Sequence, residues 1–276
     1  MPELPEVETI RLDLQRSIVG LKLTSVEIFL PKMLKDTQAE DLAHILKDAK
    51  ITAVDRRGKI ILLRLSSGYT IMIHLKMSGQ LLYMDAEDPI GKWTHIIFGL
   101  SNGHLLHLRD QRQFGYVKAL KTEDAGNDTT LAGMGPEPFG GDFTIAYLKD
   151  RFTQRKKAKI KAVLLDQSVI AGIGNIYADE ILHEARIKPT RSPDVLTRQE
   201  LAALHDATLE ILRAAIENRG SSFSKYVDLS GKQGGYVKHH RVYRREGEPC
   251  FRDDGGTIKR IKIAGRSTFY CPKCQK

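Results

Sequence analysis

The feature that most constrains the fold is a series of short apolar segments between Leu21 and about Leu120, such as IILLRL, YTIMIHL, HIIFGL and HLLHL. Turn-forming residues separate them, at Gly58, at 66–68 and at 101–103. Short alternating segments joined by tight turns are typical of neighbouring antiparallel strands. We therefore predict an antiparallel all-β domain over this part of the chain.

A helix is predicted ahead of these strands. The apolar residues Val7, Ile10, Leu14 and Ile18 recur at helical spacing, and Gly20 follows where a helix would end. We therefore expect one amphipathic helix from about Pro5 to Val19, which leads straight into the β-rich region.

The composition changes between residues 122 and 143, where Asp, Gly, Thr and Pro replace the periodic apolar positions. Helical periodicity follows, and the tail from about His239 is again rich in turns and β-like segments, including VYRR. We predict an N-terminal domain over 1–122, a linker over 123–142, a helical domain over 143–238 and a small hairpin domain over 239–276.

The charge and the cysteines indicate the class of partner and the cellular compartment. Lys and Arg number 43 against 34 Asp and Glu, which leaves a net charge of +9 and favours a polyanionic partner. No apolar run suits a signal peptide or a membrane span, so we expect a cytoplasmic protein. The three cysteines all fall between Cys250 and Cys274, a clustering that favours a metal site over a disulfide framework.

The opening MPELPE has two interpretations. Removal of Met1 would leave the secondary amine of Pro2 as the chain terminus, and an unprotonated amine can attack an electrophilic sugar carbon. Glu3 and Glu6 are near enough in sequence to act as general acid or to hold the amine in position. Proline and glutamate are also common in the first turn of a helix, so for the segment taken alone a capping role is the better interpretation.

Six segments together resemble the formamidopyrimidine-DNA glycosylase family from the first residue to the last. They are MPELPEVETI at the start, RRGK at 56–59, HLKMSGQ at 74–80, LRDQRQFG at 108–115, LLDQSVIAGIGNIYADE at 164–180 and AGRSTFYCPKCQ at 264–275. The resemblance implies an α+β, multidomain fold. An N-terminal antiparallel β-sandwich with a catalytic N-terminal helix would be followed by a helix-two-turns-helix domain and a zinc-finger-like β-hairpin.

The resemblance also implies catalytic roles. Pro2 would be the nucleophile at the deoxyribose anomeric carbon, and Glu3 would protonate the sugar ring oxygen. Glu6 would lie close to the nucleophile. Lys59 would assist the first elimination, although many turn lysines are simply solvated. Arg266 would grip the phosphates around the damaged nucleotide, which suits the planar fork of a guanidinium.

An enzyme that acts on a base within duplex DNA must turn that base out of the stack and fill the gap. Met77, Arg112 and Phe114 match the three residues that the family inserts, with Arg112 facing the orphaned cytosine. Asn175 is expected to cap a helix that starts near Ile176 and to contact a phosphate. Further DNA contacts are implied at His74, His95, Lys157, Lys161 and Tyr243. For His95 and Tyr243, which lie in strand-like segments, a structural role is the alternative.

The tail departs from the family pattern at its metal site. Cys250, Cys271 and Cys274 match cysteine positions, but the expected partner of Cys250 is replaced by Asp253 and Asp254 in CFRDDGG. Zinc accepts a carboxylate oxygen, so we predict one structural Zn²⁺ held by three thiolates and one of these aspartates. The alternative is a hairpin held by packing, with no metal. Arg244 stands where relatives often have glycine.

The activity implied by the resemblance is removal of oxidised purines, 8-oxoguanine and formamidopyrimidines, from duplex DNA by a monomer, followed by β,δ-elimination. One rival is an endonuclease VIII-like enzyme for oxidised pyrimidines. Another is a DNA-binding protein without catalysis. The Gly-, Ser- and Lys-rich stretch 221–236 is either the loop that reads the damage or a disordered linker.

Overall fold

The computed structural model describes residues 1–223 and 226–276. The chain divides into two compact units, each built from two segments. The first unit comprises 1–132 and 218–237, and the second comprises 133–217 and 238–276. Segment 218–237 was assigned to the helical domain by the sequence analysis, whereas the structure groups it with the first unit.

The first unit contains two four-stranded antiparallel sheets. One sheet has the order β1-β6-β7-β5 and the other has the order β2-β3-β4-β8. The strands are β1 (Leu23–Ile28), β2 (Ile51–Arg57), β3 (Ile60–Leu65), β4 (Tyr69–His74), β5 (Gly79–Met84), β6 (Thr94–Leu100), β7 (Leu105–Asp110) and β8 (Tyr116–Lys121). The predicted antiparallel β-sandwich is confirmed.

The apolar segments that define the strands also supply the core of this unit. Ile61 and Leu63 of β3, Ile73 of β4 and Phe98 of β6 are buried within a single hydrophobic cluster. Helix α1 (Leu4–Ser17) adds Val7, Ile10 and Leu14 to the same cluster. The first turn of α1 is therefore attached to a large packed core.

The predicted N-terminal helix is confirmed, since α1 covers most of the range 5–19 and Gly20 follows it with φ of +92°. A second helix, α2 (Ala39–Leu46), lies between β1 and β2 and was not predicted. Only two of its residues, Leu42 and Leu46, are buried. A short helix, α3 (Thr129–Ala132), closes the first segment of the unit.

Segment 218–237 joins the first unit through ion pairs and backbone hydrogen bonds. Arg219 donates to Asp13 of α1 and to Asp228 within the segment. The amide of Tyr83 in β5 donates to the carbonyl of Leu229. The contacts of Arg219 with Asp13 and of Leu229 with Tyr83 join residues far apart in sequence, so local periodicity could not have predicted them. Two residues of the candidate damage-reading loop, 224 and 225, lie outside the described residues.

The second unit is helical up to its tail. Its helices are α4 (Ile145–Thr153), α5 (Ile160–Leu164), α6 (Asn175–Glu184) and α7 (Arg198–Glu217). The inward face of α7 contains the stripe predicted from its periodicity, namely Leu201, Leu204, Thr208, Ile211, Leu212 and Ala215. None of the helices of the described residues is long and apolar enough to span a bilayer.

The tail contains one antiparallel hairpin, β9 (Lys259–Ile263) with β10 (Arg266–Tyr270). The segment VYRR at 242–245 was expected to be a strand, and this prediction is wrong because the segment forms bends and a turn. Arg244 has φ of +63°, a left-handed conformation that favours glycine. The local backbone thus explains why glycine suits this position.

Candidate functional site

The first turn of α1 brings the predicted nucleophile and two carboxylates together in a buried setting. Pro2 is buried, and Glu3 and Glu6 are 2% and 1% exposed. Glu6 Oε2 accepts the amide of Glu3 at 2.7 Å, as in a capping box. The capping interpretation of this segment is therefore correct for Glu6, and it is compatible with chemistry at Pro2.

Glu6 also connects this turn with the segment after α7. Its Oε1 accepts the amide of Ser221 at 2.7 Å, and its backbone carbonyl accepts the hydroxyl of Tyr226 at 3.4 Å. Gly220 has φ of +79°, and a Cβ there would lie 2.7 Å from Glu6 Oε1. Only glycine allows the backbone to approach this closely, so residues 220–221 and Glu6 form one hydrogen-bonded unit.

Lys59 lies in the turn between β2 and β3, next to Gly58 with φ of +55°. Its side chain is not that of a solvated turn lysine, because the residue is only 7% exposed. Lys59 also lies close enough to the ring of His74 to lower the pKa of that histidine. The turn thus directs an ammonium group into the protein, where its position can be controlled.

His74, at the end of β4, is held as a neutral ring. Its Nδ1 accepts the amide of Lys76 at 3.0 Å, and its ring packs against Tyr116. Burial lowers the pKa of His74 to about 3, and the ammonium groups of Lys76, Lys59 and Lys35 contribute to this shift. At neutral pH the ring carries no charge, and because Nδ1 accepts the Lys76 amide, the ring proton lies on Nε2, which can donate one hydrogen bond.

Met77 and Phe114, two of the three predicted inserted residues, are exposed apolar side chains, at 44% and 54% exposure. They lie on two turns, after β4 and after β7, together with Arg112, whose guanidinium lies 4.9 Å from the centre of the Phe114 ring. Large exposed apolar groups on polar turns are typical of binding surfaces, and here they agree with the predicted role.

Asp110 organises both of these turns. It is fully buried and accepts four hydrogen bonds. The donors are the hydroxyl of Ser78 next to Met77 and the amides of Arg112, Phe114 and Gly115. A buried carboxylate in this position fixes the two turns relative to each other. Sequence reasoning missed Asp110, although its place at the end of a strand, within LRDQRQFG, was a usable signal.

His95 is 8% exposed, and its Nε2 lies 3.0 Å from the backbone carbonyl of Asp110. This geometry fits the structural role that the sequence analysis kept as a rival. The ring supports the end of β7, where the Asp110 turn begins.

In the second unit, Asn175 and the tip of the hairpin are connected. Helix α6 begins at Asn175, and Gly174 rather than Asn175 occupies the N-cap position, so the predicted cap is displaced by one residue. The side chain of Asn175 instead donates from Nδ2 to the carbonyl of Ser267 at 3.0 Å. Ser267 follows Arg266, which is exposed at the start of β10 after a turn with two positive φ values.

Lys161 and Lys157 occupy different environments. Lys157 is exposed in a cationic segment, as a phosphate contact requires. Lys161 is fully buried, with its ammonium paired to the equally buried Asp179 and donating to the carbonyl of Asn175. Burial raises the pKa of Asp179, and the Lys161 ammonium opposes this rise. A phosphate contact was predicted for Lys161. In the structure its ammonium is instead buried and paired with Asp179.

Helix α6 holds the tail through its carboxylates. Asp179 Oδ2 accepts the amide of Phe269 in β10. The buried Glu180 accepts the amides of Arg241, Val242 and Tyr243. The Tyr243 ring packs edge-on against Phe269 at 5.3 Å. Asp179 and Glu180 were not predicted as site residues, and their partners in the tail are 61 or more residues away in sequence, which hides these contacts from local patterns.

Three thiols and one carboxylate lie close together in the tail. Ligand atoms of Cys250, Asp254, Cys271 and Cys274 all lie within 4.8 Å of one another. Asp253 is not in this cluster, so the structure distinguishes the two candidate aspartates. Burial raises the pKa of the Cys250 and Cys274 thiols, and a bound cation would offset this by stabilising the thiolates.

The spacing of these atoms fits tetrahedral zinc. The sulfurs of Cys250 and Cys274 are 3.8 Å apart, and Cys271 Sγ is 3.5 Å from Asp254 Oδ2. A tetrahedral ion with bonds of about 2.3 Å to sulfur and about 2.0 Å to oxygen gives separations of about 3.8 Å and about 3.5 Å. The cluster therefore has the composition and size of a structural zinc site.

Models of known families match most of the chain. The N-terminal domain of formamidopyrimidine-DNA glycosylase matches residues 1–117, and the H2TH domain of the same enzyme matches residues 134–227. A third model, described as the zinc finger found in FPG and IleRS, matches residues 255–276.

Whole-length relatives agree. The chain is 46% identical over 276 residues to formamidopyrimidine-DNA glycosylase of Pelotomaculum thermopropionicum, covering 100% of this chain and 99% of the relative. It is 44% identical to that of Chloroflexus aurantiacus, covering 100% and 98%. The solved complex of Lactococcus lactis Fpg with DNA containing an abasic site superposes with a TM-score of 0.93 at 35% identity, covering 99% of each chain. A solved complex of MutM with DNA containing carbocyclic 8-oxo-G gives 0.92 at 35% identity, covering all of both chains. The chain is a member of the formamidopyrimidine-DNA glycosylase family.

Proposed function

We propose that this protein is a bifunctional base-excision-repair enzyme, a DNA glycosylase that removes oxidised purines and an AP lyase that then cuts the strand. The observation that carries the proposal is the buried first turn of α1, where Pro2 lies beside Glu3 and Glu6. The exposed Met77, Arg112 and Phe114 support action on duplex DNA. The relatives solved with abasic-site and 8-oxo-G DNA support the substrate class.

The first chemical stage is base release. After Met1 is removed, the unprotonated amine of Pro2 attacks the anomeric carbon of the deoxyribose. Glu3 donates a proton to the ring oxygen, the sugar ring opens and the bond to the damaged base breaks. The base leaves with its bonding electron pair and takes up the proton that the attacking amine loses, and the amine nitrogen and the sugar carbon form an iminium.

The second stage is strand cleavage. The iminium acidifies the adjacent carbon, and loss of a proton there expels the 3′ phosphate by β-elimination. A second proton loss expels the 5′ phosphate by δ-elimination, and water then releases Pro2. We assign assistance of the first elimination to the buried ammonium of Lys59, and stabilisation of the phosphates and assistance of the second elimination to Arg266.

DNA contacts are proposed at two surfaces. In the first unit, Met77 and Phe114 would fill the gap and wedge the base step, Arg112 would face the orphaned base, and the neutral His74 would bind the backbone near the lesion. In the second unit, Lys157, Asn175, Arg266 and Tyr243 would contact phosphates. His95 and the buried Lys161 would act indirectly, by fixing the Asp110 turn and helix α6.

We propose one structural Zn²⁺ held by Cys250, Asp254, Cys271 and Cys274. The site has no open position for chemistry in this arrangement, so the metal would fix the fold of the tail that presents Arg266. We expect the enzyme to act as a monomer and to work in the bacterial cytoplasm, where the chromosome is.

The test is borohydride trapping on a duplex that contains 8-oxoguanine opposite cytosine. Wild-type protein with a free Pro2 terminus should give a covalent adduct, because borohydride reduces the iminium to a stable amine. Pro2→Gly provides a primary-amine terminus, and a form with one extra residue before Pro2 provides a blocked one. The blocked form should give no adduct.

Other outcomes point elsewhere. Tight binding to the same duplex with no adduct from wild type would favour a DNA-binding protein without catalysis. Faster release of thymine glycol than of 8-oxoguanine would favour the endonuclease VIII-like alternative.

A further inference from the structure

Glu8 lies on α1, one helical turn after the first residue of the helix, and belongs to none of the roles proposed above. Its two carboxylate oxygens accept from different arginines. Oε1 accepts from Nε and Nη2 of Arg11 at 2.9 and 2.8 Å, and Oε2 accepts from Nε of Arg56 at 2.8 Å. Arg11 therefore fixes the orientation of the carboxylate that Arg56 binds.

Arg56 lies near the end of β2 and uses a second part of its guanidinium on the following turn. Its Nη1 donates to the backbone carbonyl of Gly58 at 2.9 Å. Gly58 is the residue immediately before Lys59. One planar group thus joins helix α1 to the β2–β3 turn, and its side chain is only 9% exposed.

We propose that Glu8 and Arg56 are positioning residues that set the place of Lys59 relative to Pro2. The helix that begins beside Pro2 carries Glu8, and the turn that carries Lys59 is held by Arg56. The inference rests on the proposed function, since it concerns the step that Lys59 assists. Neither side chain has a part in the proposed chemical steps, and the contact of Arg56 with Gly58 leads to the turn that carries Lys59, so the pair is proposed to act through the turn.

Two physical features explain why this contact can affect the position of the Lys59 ammonium and the rate of the step that it assists. The charged hydrogen bond from Arg56 to the carbonyl of Gly58 restricts the movement of the turn. The ammonium of Lys59 stands at the end of four methylene groups, and a small displacement of the turn moves it away from the proton or phosphate that it serves. A misplacement of about 1 Å in a catalytic group can cost about a hundredfold in rate.

The conservative variant Arg56→Lys separates charge from geometry. It keeps a cation next to Glu8, but an ammonium cannot reproduce the planar fork that reaches both Glu8 Oε2 and the Gly58 carbonyl. Glu8→Gln is a second, milder variant that keeps the shape of the side chain. Arg64→Lys is the matched control, because Arg64 of β3 bonds Asp55 and Thr70, neither of which belongs to the turn.

The experiment uses a duplex with a preformed abasic site under single-turnover conditions, at saturating enzyme. Two quantities are measured for each variant, namely the rate of adduct formation trapped by borohydride and the rate of strand cleavage. We expect Arg56→Lys to slow cleavage by about tenfold while adduct formation stays within about twofold of wild type. Glu8→Gln should act in the same direction with a smaller effect, and Arg64→Lys should change neither rate.

A merely structural role would give a different pattern. If adduct formation and cleavage fall together, the pair supports the N-terminal helix as a whole, and the positioning inference is overturned. It is also overturned if neither rate falls, or if Arg64→Lys slows cleavage as much as Arg56→Lys. Absence of any adduct from wild type would contradict the proposed function itself, whatever the variants do.

Discussion

The N-terminal sandwich and the C-terminal hairpin position functional groups by opposite means. The sandwich holds the first turn of α1 and the Asp110 turns on a hydrophobic cluster that draws on helices and both sheets. The tail has a cluster of only five buried residues, two of which are cysteines, and it presents Arg266 at the end of a two-stranded hairpin. A hairpin of this size has too little apolar burial to be stable alone.

The difference shows where each region is vulnerable. In the sandwich, apolar packing supplies most of the stability, and single polar contacts adjust the site. In the tail, polar contacts themselves maintain the fold. They are the cluster of three cysteines and Asp254, and the hydrogen bonds that the α6 carboxylates accept from the amides of residues 241–243 and 269. Loss of one polar contact should therefore have a larger effect in the tail than in the sandwich.

Removal of the proposed zinc ion is expected to have the largest effect. A structural zinc ion contributes about 10 kcal/mol of apparent folding free energy. Chelation or Cys271→Ser should therefore expose the amides of residues 248–276 to hydrogen exchange, while strands β2–β8 keep their protection. Lys273→Ser, an exposed change in the same segment, is the control. Full protection of the tail in protein with less than about a tenth of an equivalent of zinc would contradict the metal site.

In the sandwich, we expect the largest effect from Asp110→Asn, because this change replaces a buried carboxylate that accepts four hydrogen bonds. We expect a loss of about 3 kcal/mol, since an amide nitrogen cannot accept and leaves donors without a partner. Hydrogen exchange should increase at 76–78 and 111–115 but not in the strands. Asp85→Asn, at an exposed aspartate, is the matched control. Global unfolding by Asp110→Asn would show that the sandwich also depends on single polar contacts.

Asp254→Asn tests the weakest member of the cluster. We expect zinc affinity to fall by about 10- to 100-fold, measured by competition with a chromophoric chelator, because a neutral amide oxygen is a poorer ligand than a carboxylate. Asp253→Asn is the matched control, since Asp253 lies outside the cluster. Equal effects of the two changes would indicate that either aspartate can serve.

The smallest effect concerns His74. Its pKa is lowered to about 3 in the folded protein, against about 6.5 in the unfolded chain, so the neutral ring stabilises the fold above pH 6.5. This contribution is lost as the pH falls, by about 1 kcal/mol between pH 6.5 and 5.5. NMR should detect no protonation of the ring above about pH 4, and His74→Gln should flatten the pH dependence of exchange in β4. A ring that titrates near pH 6.5 would refute this.

Much of the fold could be predicted because its signals are local. Alternation and turn residues located the strands of the sandwich, and the spacing of Val7, Ile10 and Leu14 located α1. The prediction failed at VYRR, where β-prone residues form a turn because Glu180 binds their amides. The grouping of segment 218–237 with the first unit was not predicted for a similar reason, since its partners, Asp13 and Tyr83, are distant in sequence.

The candidate site follows the same pattern. Glu6 was predicted from its neighbours, and its helix-capping contact is indeed three residues away. The burial of Lys161 could not be predicted, because it depends on Asp179 and on the way α5 and α6 pack. Asp110 was within a quoted motif, but its four donors lie on two separate turns. The choice between Asp253 and Asp254 also required the three-dimensional cluster.

The carboxylate of Glu6 has a consequence for how this protein can vary. It receives the amide of Ser221, 215 positions later in the chain, and Gly220 leaves no room there for any side chain. Position 220 therefore accepts little besides glycine, because φ of +79° strains any other residue whatever stands at position 6. We expect a library randomised at position 220 to lose folded clones even when position 6 is varied with it.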